Sequence, residues 1–123
     1  MIITTYGKLQ FVIPHLKDLL ACKIRRIDAV VELNKLRREL TTHSEDIQAG
    51  IKSLIENYGT PNEAGEKSIE SIHPEYIKLL SIEAEIVLDT IDLGPLSELL
   101  QQGESISPDT IYELEESGMV TFG

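Results

Sequence analysis

Six basic side chains fall within residues 22 to 40, CKIRRIDAVVELNKLRREL, of a chain whose formal net charge is −10. Arginine holds carboxylates and phosphates in a fixed two-pronged geometry, which makes this stretch the place to look for an anion site. On a helical projection at about 100° per residue, Lys23, Arg26 and Arg37 fall in one sector, between two apolar ones. They are the candidate ligand- or partner-binding residues. The competing reading is that they cover core edges with their aliphatic stems or pair with acidic groups of the same fold. The apolar sectors carry their own message, since Ile24, Ile27 and Val31 lie on one side and Leu33, Leu36, Leu40, Ile47, Ile51, Leu54 and Tyr58 on another. One neighbouring surface cannot cover both, so either the helix bends or Ile24, Ile27 and Val31 form an oligomer contact, a two-fold dimer being expected.

Other chemistry-bearing residues are isolated. His15, His43, His73 and Cys22 lack the close spacing of a zinc site, and neither HExxH, CxxC, an EF-hand loop nor GxSxG occurs. The segment YGTPNEAGEKS, residues 58 to 68, contains Gly and Lys without the GxxxxGK[ST] order of a phosphate loop, and reads as a turn. Cys22 needs a histidine folded beside it to act as a nucleophile, and reads as a small buried apolar residue. Carboxylate pairs such as Glu83 and Glu85 read as solvated surface. No metal, no cofactor and no enzymatic activity is expected.

The elements that would position these residues follow from periodicity and punctuation. IITT, residues 2 to 5, is β-branched and reads as a short strand. Pro14 suits a first helical turn, and Leu16, Leu19 and Leu20 recur at helical spacing, so a helix is predicted over about 14 to 21. From Lys23 to Tyr58 there is no Pro and only Gly50, which predicts one long helix or two nearly collinear ones, with Thr41 to Glu45 as the weak spot. Gly59 is expected as a left-handed cap, opening an exposed loop over about 59 to 71. His73-Pro74 starts a further helix, Glu85 to Leu93 reads as a strand, and Gly94-Pro95 turns into a short helix. Ser107 and Pro108 start a last helix to about Ser117, before a closing strand. The expected fold is a single domain of the α+β class, mostly α: a long central helix or helix pair with a small two- or three-stranded sheet from about 2 to 5, 86 to 91 and 119 to 122.

Composition agrees. With 41% hydrophobic and 26% charged residues the chain is globular rather than disordered, and with 5% aromatics and no Trp its core must be Leu and Ile. A single cysteine excludes an internal disulfide and fits a reducing compartment. The first residues lack the pattern of a secretory signal, and no apolar run approaches the roughly 20 residues of a membrane span, so a soluble protein is expected. A pI near 4.6 argues against direct duplex DNA binding. The charge is unevenly spread: residues 1 to 38 carry eight Lys or Arg against three acids, and residues 39 to 123 carry three against eighteen.

The charged helix with LNKLRREL, its end at ENYGTPNEAG, the passage LLSIEAEIVLDTIDL and the closing ISPDTIYELEE follow one another along most of the chain. In this order they resemble small acidic proteins encoded by tailed phages and prophages, most of them without an assigned function. The resemblance implies a phage or prophage origin, action in the cytoplasm of a bacterial host, and a binding role; it carries over no catalytic residues. The expectation is a non-enzymatic interaction protein that engages a host protein or a small anionic ligand, as inhibitors of host defence do. The alternatives are a phage morphogenesis or assembly accessory factor, and an acidic DNA mimic.

Overall fold

Thr5 both ends the β-branched run and starts a helix. In the computed structural model, which describes residues 1 to 123, Ile2–Thr5 form β1 and the Thr5 hydroxyl oxygen accepts the backbone N–H of Lys8 at 3.3 Å, capping α1 (Tyr6–Leu20). The helix therefore begins at Tyr6, ahead of the expected start, and Pro14 lies inside it. Proline removes one helical hydrogen bond there. The helix continues because Leu9, Val12, Leu16 and Leu19 form one uninterrupted buried face.

The long helix is a single one, α2 (Ile27–Tyr58). It runs through Thr41 to Glu45 without a break, and Thr41 Oγ1 donates to the Arg37 carbonyl at 2.8 Å, satisfied within the helix instead of starting a new one. Its beginning differs from expectation. Lys23 and Ile24 are not helical: the Arg25 N–H donates to the Leu99 carbonyl at 2.7 Å, the Gln101 N–H donates to the Lys23 carbonyl at 3.0 Å, and Ile24 bridges Leu100. A tertiary ladder has taken the backbone groups that a helix would have used. At the other end Gly59 is extended (φ −68°) rather than left-handed, and glycine is needed because any Cβ would collide with the Ile55 carbonyl.

Beyond α2, β2 (Thr60–Pro61) and β3 (Lys67–Ser68) form a small exposed hairpin, its turn held by Asn62 Oδ1, which accepts the N–H groups of Ala64 and Glu66. His73 Nδ1 accepts the Glu75 N–H and caps α3 (Pro74–Leu80). The strand expected over 85 to 93 is two strands. β4 (Glu83–Ile86) pairs antiparallel with β1, Ile2 opposite Ile86 and Thr5 opposite Glu83. β5 (Ile91–Asp92) pairs in parallel with β6 (Val120–Thr121), reached through α4 (Leu96–Leu99) and α5 (Pro108–Glu116). Two separate two-stranded ladders, β1–β4 and β5–β6, thus stand where one small sheet was drawn, because the chain bends between Ile86 and Ile91, and the β2–β3 hairpin is a third ladder apart from both.

The fold is α+β and mostly helical, at 54%. α1 packs against α2 on one flank and α5 on another. Leu9, Leu19, Leu33, Leu36, Leu99, Leu114 and Val120 are fully buried, giving the Leu-rich core that the composition requires. Along α2 the expected stripe is buried at Leu33, Leu36, Leu40 and Ile47, partly covered at Ile51 and Leu54, and exposed at Tyr58. The last turns of α2 extend past the core. No helix is long and apolar enough to cross a membrane.

Candidate ligand groove between the first two helices

Arg26 occupies the N-cap position of α2 and is committed within the chain. Its Nε and Nη2 donate to the two Asp28 carboxylate oxygens at 3.2 and 2.7 Å, and Nη1 donates to the Leu93 carbonyl at 2.8 Å. Leu93 leads into Gly94, whose φ of +67° makes the turn and whose missing Cβ leaves room for the guanidinium. Arg26 thereby ties the start of α2 to the segment after β5. The hydrogen bonds from Arg26, with its charge behind them, hold the Asp28 carboxyl below the ordinary carboxylate range.

Lys23 is exposed and precedes the helix, and Arg37 lies eleven residues after Arg26, roughly 16 Å along the axis. The three cations that share a sector on the projection are therefore spread over different surroundings. The proposed oligomer residues divide likewise. Ile27 and Val31 are 79% and 48% exposed one turn apart on α2, whereas Ile24 packs against the chain's own core.

Arg37 lines a groove together with a different cation. Between α1 and α2 lies a groove of about 350 Å³ with an apolar floor of Ile13, Leu16, Leu20 and Leu40. Lys17 and Arg37 border it from facing helices, with Thr41, Ser44, Glu45 and Gln48 on the remaining rim. Both cations are exposed and neither forms an ion pair; of the chain's eleven Lys and Arg only Arg26, Lys35 and Lys78 do. Lys17 is invisible to a reading of residues 22 to 40 because it sits on another helix. Its position one residue after buried Leu16, at the border of the α1 stripe, was the available signal.

The remaining chemistry-bearing groups are engaged structurally. His15 Nδ1 and the hydroxyl of buried Thr110 are 3.1 Å apart, joining α1 to α5. His43 Nε2 meets the Glu85 carbonyl, and Cys22 is half-buried with its thiol directed at the Asp18 and Ser105 carbonyls. Burial, with the Glu104 carboxylate nearby, pushes the Cys22 thiol up from its ordinary range. No group of three or more His, Cys, Asp or Glu side chains is placed to hold a metal ion. No protein-family model, curated protein or solved structure matches the chain.

Proposed function

We propose that this chain is a non-enzymatic binding protein of phage or prophage origin, acting in the cytoplasm of a bacterial host as an inhibitor of host defence by sequestering a small anionic molecule in the α1–α2 groove. The observation that carries this reading is the pair Lys17 and Arg37, two cations without ion-pair partners over an apolar floor, in a chain of net charge −10. Both side chains are exposed and, like most of the chain's cations, unpaired within it, so at this groove they are available to a ligand. The groove volume of about 350 Å³ falls at the lower end of the range for small-molecule sites, roughly 300 to 1,000 Å³. A molecule with an anionic head and a short apolar body fits the arrangement: the head between Lys17 and Arg37, the body on Ile13, Leu20 and Leu40. The phage setting rests on the sequence resemblance.

Titration calorimetry with octanoate and octyl phosphate as probes tests the reading. Wild type should bind at least one of them, and Arg37→Ala or Lys17→Ala should weaken binding by about tenfold to a hundredfold, the worth of a charge-assisted hydrogen bond. Arg37→Lys should recover part of the loss, keeping charge without the two-pronged geometry. Wild type that binds neither probe at millimolar concentration, or variants that bind as well as wild type, would overturn it.

A further inference from the structure

The β1–β4 ladder has two outer edges, and only one of them is closed. On the β4 side, the Glu85 carbonyl is met by His43 Nε2 at 3.2 Å and the Val87 N–H by the Glu39 carboxylate at 3.4 Å, both from α2. On the β1 side there is no such cover. The Tyr6 N–H bonds to the Ile82 carbonyl, which continues the register, so Ile2 and Thr4 direct their backbone groups toward β4 and Ile3 directs its N–H and C=O outward. No further strand pairs there.

Beside that edge runs a groove of about 610 Å³, bordered by Ile3, Phe11 and Lys8 on one side and by Glu113 and Glu116 on the other. Ile3 and Phe11 are 60% and 57% exposed. Neither carboxylate has an ion-pair partner, and both lie near the C-terminal end of α5, whose last turn holds no basic residue. A helix C-terminus carries partial negative charge, so acids there are placed against the local preference. Such misfits are characteristic of surfaces that another molecule completes.

We propose that this edge docks an extended segment of a partner protein, which adds to β1 as a third strand, sets an apolar side chain against Ile3 and Phe11, and directs a Lys or Arg to Glu113 and Glu116. Main-chain hydrogen bonds supply the attachment and the alternating side chains the selectivity. The charge favours a foreign strand as the occupant: β1 itself, IITT, holds no Lys or Arg, so a second copy pairing β1 to β1 sets no basic strand side chain against the carboxylates. The surface lies on the opposite flank of α1 from the Lys17 and Arg37 groove and is independent of it.

Selection from a randomised heptapeptide library against the full-length protein tests this. Enriched peptides should alternate apolar residues with at least one Lys or Arg, shift the amide resonances of Ile3 and Phe11, and slow exchange of the Ile3 N–H. Methylating one strand-facing peptide nitrogen should weaken binding at least tenfold, as should Glu113→Gln combined with Glu116→Gln, whose fold is checked by an unchanged amide spectrum elsewhere. No enrichment, binding that maps to another surface, or indifference to both changes would overturn the proposal. So would concentration-dependent protection of the Ile3 N–H in the protein alone, which would assign the edge to a second copy.

Discussion

His43 Nε2 lies 3.2 Å from the carbonyl oxygen of Glu85, so that a side chain in the middle of α2 completes the outer edge of β4. The ring also stands 6.3 Å from Tyr6, centre to centre, and its Nδ1 is buried without a partner. With Nε2 donating, the neutral ring carries its proton there. His43→Ala should lower folding stability by about 0.5 to 1.5 kcal/mol, the net worth of one hydrogen bond to an exposed strand edge. Urea unfolding of wild type and variant would measure it; equal midpoints would show that water replaces the ring without loss.

A second expectation concerns acid. Because the Asp28 carboxyl is held below its ordinary value by Arg26, the folded state binds that proton more weakly than the unfolded chain. The stabilisation is therefore complete above the ordinary carboxylate value, about pH 4, and is lost as pH falls through the lowered folded value. Asp28→Asn should be less stable than wild type at neutral pH, and the gap should close on acidification. Unfolding midpoints measured from pH 7 downward would show it; a gap independent of pH would assign the effect to something other than this carboxylate.

Cys22 should be a slow thiol. Burial first, and then the charge of Glu104, favour the protonated form. Alkylation by iodoacetamide near pH 7 is expected to be slower than that of free cysteine, to accelerate as pH rises beyond the usual thiol range, and to be faster in Glu104→Gln. Reaction at the free-cysteine rate at pH 7 would contradict this.

The proposed two-fold contact through Ile27 and Val31 is read by mass. Light scattering at high micromolar concentration should exceed the 13.8 kDa of one chain, and Ile27→Asp should return it to that value. Because Ile27 is 79% exposed within the chain, the same variant should change the stability of the isolated fold by no more than about 0.5 kcal/mol. A single-chain mass for wild type would remove the contact.

What the sequence made legible were the features governed by local rules. The long Pro-free run forms α2, Ser107 and Pro108 start α5, and Leu33, Leu36, Leu40 and Ile47 enter the core. What it concealed depends on residues far away in the chain. Lys23 to Arg25 have helical neighbours but give their backbone to Leu99 through Gln101. Pro14 reads as a helix start because nothing local shows that Thr5 caps an earlier turn. The same holds for the candidate sites. Arg37 stood out in the charged stretch, but its companion Lys17 is fixed only by how α1 lies on α2. The open edge of β1 exists only because β4 returns to pair with it.

That return has a consequence for how the chain is made. Ile2 pairs with Ile86, and the face of α1 shared with α5 is covered only when residues near Leu114 arrive. During synthesis α2 can coil early from local contacts, while β1 and one flank of α1 wait for a segment more than eighty residues downstream. Closing such long loops late slows folding and leaves apolar surface open meanwhile. The nascent chain is thus open to misassociation until its last third emerges, and the docking edge beside Ile3 is created in the same late event.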